Sequence, residues 1–162
     1  MSDPKQSDLR QFISQATRHV FATMLSMQVR DASSDTPLSA EEGRVVAAVG
    51  FAGHGIAGGL AINVTCRFAA LITATMLGLK PDEIHNPADV SDVMGELANV
   101  IGGNCLAALA ELGHDCALSL PAVTRGLGVQ TVTIRGAKRE SVAFEQGQNQ
   151  FPISLDFKTT SR

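Results

Sequence analysis

Between Ser7 and Val29 apolar residues recur at three- and four-residue steps, at Leu9, Phe12, Ile13, Ala16, Val20, Met24 and Met27. That period predicts an amphipathic helix over 7–29, with Ser7 or Asp8 as its cap. Residues 30–43 are polar and read as a connection. From Arg44 to Phe51 a β-branched, apolar run predicts a strand, Gly53-His54-Gly55 a turn, and Gly59 to Thr65 a second strand closing a hairpin. Helical spacing returns from Cys66 to Leu77 through Phe68, Leu71, Ile72, Thr75 and Met76, with Gly78 as a stop and Pro81 beyond it. A long helix is predicted from Pro87 to Leu112, ending at Gly113. Four extended runs follow, Cys116–Leu120, Val129–Arg135, Ser141–Gln146 and Phe151–Lys158, separated by glycine-containing turns. Helix, hairpin, two helices and then successive strands describe an α+β fold: a largely antiparallel sheet packed with three main helices. No linker or internal repeat divides the chain, and residues 1–162 read as a single domain.

The long helix has two unlike faces. Asp92, Glu96, Asn99 and Gly103 share one narrow polar face, while Val90, Val93, Met94, Leu97 and Ile101 form an opposite stripe suited to a core. Ala88, Gly95 and Gly102 edge the polar face, so nothing bulky shields Glu96 or Asn99 from another molecule. Each interior glycine costs about 1 kcal/mol relative to alanine, and an interior Asn is mildly unfavourable. Propensity given up in this way marks function or close packing. Asn104 lies toward the apolar arc and is expected to be buried, with its amide bonded to a neighbouring strand.

Composition narrows the chemistry. Hydrophobic residues make up 44% and charged residues 18%, in keeping with a globular domain. No apolar run reads as a membrane span, and the N-terminus lacks the pattern of a signal peptide, so a cytoplasmic location is expected, with no membrane partner. A net charge of −3 and the absence of Trp and Tyr argue against a nucleic-acid partner. The cysteines Cys66, Cys105 and Cys116 have no metal-ligand spacing, and no histidine completes a zinc set. His114 and Cys116 tempt a nucleophilic reading, but side chains in an extended segment alternate and His114-Asp115-Cys116 offers no evident pair. The glycine-rich stretch from Gly50 to Gly59 lacks the lysine and following helix of a phosphate loop, and a hairpin turn explains it. His19 and His85 are expected to face solvent, and His54 to sit at the hairpin tip.

Asp92-x3-Glu96-x2-Asn99, followed by Pro121 after 21 intervening residues, resembles the signature of the CheC/CheX/FliY phosphatases of bacterial chemotaxis. The spacing to Pro121 is one residue shorter at most. Phe12 to Met27, the hairpin around Gly53, Ala69 to Gly78, Ser119-Leu-Pro121 and the closing Phe151-Pro-Ile-Ser-Leu strand extend the likeness over nearly the whole chain. The first helix carries Asp8, Phe12 and Gln15 in the same register, so the motif occurs once, and the resemblance is to a CheX-like member.

This resemblance implies an enzyme that hydrolyses the aspartyl phosphate of a CheY-like response regulator. Asn99 would hold the in-line water, and Glu96 would pair with the regulator's active-site lysine. Gly103 and Gly95 would let the helix lie close to the partner, and Asp92 would orient or cap. No cofactor or metal is expected on this chain, and Mg²⁺ is expected in the regulator. A homodimer joined through the sheets is implied, with an exposed strand edge near the C-terminus as one route. A competing reading is a non-catalytic adaptor or flagellar-switch-type module that binds a receiver domain, since fold alone does not fix function. A small-ligand sensor is a weaker third.

Overall fold

Alternation along the first hairpin decides where the core lies. In the computed structural model, which describes residues 3–34 and 38–160, strands β2 (Gly43–Gly53) and β3 (Ile56–Thr65) pair antiparallel from Arg44↔Thr65 to Gly53↔Ile56. Val45, Ala47, Val49 and Phe51 face the same side as Leu60, Ile62 and Val64, and all of them join the main apolar cluster. The other side of the hairpin carries Arg44, Val46, Ala48 and Gly50 opposite Thr65, Asn63, Ala61 and Gly59. Helices α1 (Gln6–Leu25), α2 (Cys66–Leu77) and α3 (Pro87–Glu111) contribute their apolar stripes to the cluster on the first side. Their side of the sheet therefore holds the core.

The seven strands run in the order β1 (Arg30–Asp31), β6 (Lys138–Gln146), β7 (Asn149–Thr159), β3, β2 and β4 (Cys116–Leu118), with β5 (Ala122–Leu127) also on β2. Every pairing is antiparallel. The α+β architecture with three main helices is as the sequence predicts. Phe21 of α1, Phe68 of α2, and Phe144 and Phe151 of the sheet stack at the centre, with Phe151 about equally close to Phe21 and Phe68 at 5.4 Å.

Several elements depart from the sequence expectations. α1 stops at Leu25 instead of Val29, because Ser26 enters the left-handed region at φ 51° and Met27 N–H turns back to Phe21 O at 3.0 Å. The apolar period continues to Val29 because the tail folds onto the same core. The helix starts from Lys5, whose backbone N–H donates to Asp8 Oδ2 at 3.2 Å, so Asp8 caps from inside the first turn and Ser7 does not. The polar connection contains β1, held by Ser14 Oγ and Arg18, which both donate to Asp31. Residues 35–37 of that connection lie outside the described residues.

The predicted strand Val129–Arg135 is not a strand. The segment crosses the outer face of the sheet, and side chains take the place of a ladder. Asn63 Nδ2 donates to Val129 O, Arg139 Nη1 donates to Thr131 O, and Ile134 N–H donates to Asp156 Oδ2. Asp156 is buried and bound by Arg139 through two bonds of 2.6 and 3.0 Å. The C-terminal strand β7 is interior, between β6 and β3, so it offers no free edge. Among the described residues the edge strands are β1, with the part of β6 it leaves uncovered, and β4 and β5 at the other end.

Among the described residues α3 is the one helix long and apolar enough to cross a membrane, where the sequence reading expected none. More than half of its most apolar stretch is buried within the fold, and it serves as the core helix. Phe151→Ala should cost about 3–5 kcal/mol, the range for deleting a fully buried aromatic ring. Urea unfolding followed by circular dichroism measures it.

Candidate functional site on the third helix

α3 begins where Asn86 Oδ1 accepts the Ala88 N–H at 3.0 Å, with Pro87 in the first position and Asp89 in the first turn. Val90, Val93, Met94, Leu97 and Ile101 are all buried, as their spacing predicts. On the other face Asp92 and Glu96 are exposed, and Asn99 and Gly103 are half-buried. Among the described residues no hydrogen bond or ion pair engages the side chains of Asp92, Glu96 or Asn99. A carboxylate and an amide three residues apart thus share a helix face with their polar atoms uncommitted. An uncommitted amide can accept from and donate to one water at once.

The small residues along this face do different jobs. Gly95 is buried, and a Cβ there would lie 3.3 Å from Pro121 Cγ and 3.6 Å from Val123 Cγ2. The expectation that Gly95 opens the helix to a partner is therefore corrected. Its missing side chain admits Pro121 of the same chain. Gly102 is tighter, with a Cβ at 2.8 Å from Val49 Cγ2. Gly103 differs again, since the nearest atom, Leu118 Cδ1, would be 3.9 Å away. Only this last glycine remains available for close approach from outside.

Asn104 is corrected as well. It is exposed, and Nδ2 donates to Val100 O of its own helix at 2.9 Å, so no strand accepts it. The wheel placed it beside the apolar arc, but an amide can bend back to the preceding turn and leave the core.

Pro121 reaches Gly95 through a β-bulge that the sequence reading missed. Phe51 pairs with Leu118 and Ala48 pairs with Ala122, so Val49 and Gly50 oppose three residues, Ser119, Leu120 and Pro121. The sequence reading ended its strand at Leu120 and left Ala122–Leu127, which is β5, as a turn. Pro121 directly after that strand was the available signal, because a proline cannot donate to a ladder and falls at edges or bulges.

His19, His54 and His85 are exposed, and no group of three or more His, Cys, Asp or Glu among the described residues could hold a metal. Burial pushes the Cys105 thiol up to about 12, and burial with the Asp115 charge raises that of Cys116. Neither is poised as a thiolate.

With this geometry in view, comparison with known proteins identifies the chain. The model of the family described as chemotaxis phosphatase CheX matches residues 45–145, well over half the sequence and the whole of α3. The chain belongs to the CheX family. No functionally curated protein matches the sequence. Among solved structures, CheX from Vibrio vulnificus is 22% identical, with 96% of this chain and 100% of that one covered and a TM-score of 0.79. CheX from Desulfovibrio desulfuricans is 24% identical, with 93% and 99% covered and a TM-score of 0.76. The CheX of a CheX–CheY–BeF3–Mg²⁺ complex from Borrelia burgdorferi is 17% identical, with 93% and 97% covered and a TM-score of 0.73. These likenesses establish the CheX fold for this chain.

Two tests separate the glycines and the thiols. Gly103→Ala should stabilise this CheX-family chain by about 0.5–1 kcal/mol through helix propensity. Gly102→Ala should destabilise it by about 1–3 kcal/mol through overpacking against Val49, both read by thermal unfolding. Iodoacetamide at pH 8 should leave Cys105 unmodified in the native protein and label it on denaturation, since burial shields the thiol and pushes it up to about 12. Mass spectrometry reports the site.

Proposed function

We propose that this CheX-family protein hydrolyses the aspartyl phosphate of a CheY-like response regulator. The observation that carries the reading is the uncommitted pair on α3, Glu96 exposed and Asn99 half-buried beside it. An aspartyl phosphate is an acyl phosphate and already has a good leaving group. What hydrolysis lacks is a water held in line with phosphorus, on the side opposite the carboxyl oxygen. Asn99 supplies that hold, its carbonyl oxygen accepting from the water while its NH₂ fixes the water's orientation. Glu96, one turn nearer the N-terminus, pairs with the regulator's lysine and sets the docking angle. Asp92 orients the approach without reacting, and Gly103 lets the regulator's backbone come close.

The regulator brings its own Mg²⁺, so this chain needs no metal or cofactor for the step. The Borrelia burgdorferi relative in complex with CheY supports a receiver domain as the partner. The phosphatase description of the family supports hydrolysis over simple docking. The reaction takes place in the cytoplasm, where response regulators act. A homodimer is part of the proposal, with the open edges at β5 and β6 as the pairing routes. Sedimentation at micromolar concentration reads the dimer.

The deciding experiment is the decay of a phosphorylated CheY-like receiver with catalytic amounts of the protein. Wild type should accelerate decay, Asn99→Ala should lower kcat by about 10²-fold, the scale on which misplacing a reactant acts, and Glu96→Ala should raise KM. Tight binding without acceleration across several receivers would move the protein to the adaptor class.

A further inference from the structure

Ser119 lies outside the Asp–Glu–Asn–Pro pattern, yet it organises the contact between that pattern's proline and its helix. Within the bulge Ser119 N–H donates to Gly50 O at 2.8 Å, as an ordinary ladder partner would. The return bond is not ordinary. Gly50 N–H donates to Ser119 Oγ at 2.8 Å, so the hydroxyl stands where a strand carbonyl would normally accept. The same hydroxyl donates to Leu120 O at 3.1 Å, fixing the next peptide. Leu120 and Pro121 are then both set opposite Val49, and Pro121 is delivered to Gly95.

We infer that Ser119 is a positioning residue for the phosphatase site, acting through Pro121 on the Gly95–Asn99 turn. Val49, opposite the bulge, also occupies the place that a side chain at Gly102 would need. The bulge is thus bracketed by two close contacts with α3, one beside Glu96 and the other three residues past Asn99. Gly95 precedes Glu96 directly and lies one turn before Asn99, so a shift of Pro121 is felt by both. Without the hydroxyl, Gly50 N–H loses its partner and the bulge can relax toward a regular ladder, which Pro121 cannot join. Relaxation would change the seat of the helix turn while leaving the core, on the other face of that turn, intact. This inference rests on the reading of Glu96 and Asn99 as the reacting face.

Ser119→Thr and Ser119→Val form the test pair, nearly equal in volume and differing in the hydroxyl. Both suit a strand, so both should fold. With a phosphorylated CheY-like receiver as substrate, Ser119→Val should lower kcat about tenfold with KM within about twofold, and Ser119→Thr should retain kcat within about twofold. In a Pro121→Ala background Ser119→Val should add no further loss, since both act through one contact. The amide resonance of Gly95 and the side-chain amide of Asn99 should move in Ser119→Val and stay in Ser119→Thr. Unchanged kcat in Ser119→Val, additive losses with Pro121→Ala, or unmoved resonances would each overturn the inference. If wild type fails to accelerate decay, the phosphatase reading falls, and the resonances alone decide the link: movement of Gly95 and Asn99 upholds it and stillness rejects it.

Discussion

The close seating of α3 on the edge of the sheet is the contact on which the rest depends. Gly102 admits Val49, and Gly95 admits Pro121. An alanine at either place would meet an atom at 2.8 or 3.3 Å. The helix gives up about 1 kcal/mol of propensity at each glycine. In return its apolar stripe reaches the inner face of β2 and β3, and its polar face is held fixed beside the bulge. The proposed reaction gains from that fixity, because a misplacement of about 1 Å can cost about 10²-fold in rate.

The two sides of the sheet divide the labour. The helix side is apolar and continuous, centred on stacked phenylalanines. The outer side is built from small and polar residues, with buried Arg44 bound to Asn63 and Glu42, and Arg139 to Asp156. Those side chains bind the crossing segment 128–137 and replace the hydrogen bonds of a ladder. Burying such groups is tolerable because each is met by several partners. The chemistry proposed for the protein lies on neither side but along the edge, where α3, β5 and solvent meet.

The site is sparse for an enzyme. Among the described residues no metal-holding cluster accompanies Glu96 and Asn99, and burial raises the Cys105 thiol. In the proposed reaction the substrate is itself a folded protein that carries its own electrophile and metal. On the proposed reading this chain contributes orientation, held by the packing of α3 against Val49 and Pro121. Under the same proposal Ser119 belongs to that account alongside the motif, since it shapes the bulge between β4 and β5 that carries Pro121.

Much was settled by the sequence alone, because it resides in local periodicity. The three helices, the first hairpin, the buried stripe of α3 and the shared face of Asp92, Glu96 and Asn99 follow from steps of 3.6 and 2 residues. The Gly78 stop of α2 follows from its left-handed conformation at φ 69°. What periodicity could not reach was which neighbour each small or polar residue meets. Gly103 on the polar face and Gly95 at its rim were both read as openings for a partner, yet one lies near open space and the other under Pro121. Val129–Arg135 has the composition of a strand, but its backbone groups found side-chain partners across the outer face before any ladder. Asn104 sits toward the apolar arc by angle and turns back to its own helix. The placement of the glycines and of Val129–Arg135 was decided by contacts between residues far apart in the chain, which only the assembled tertiary structure brings together, whereas Asn104 took a local bond that a helical wheel does not show.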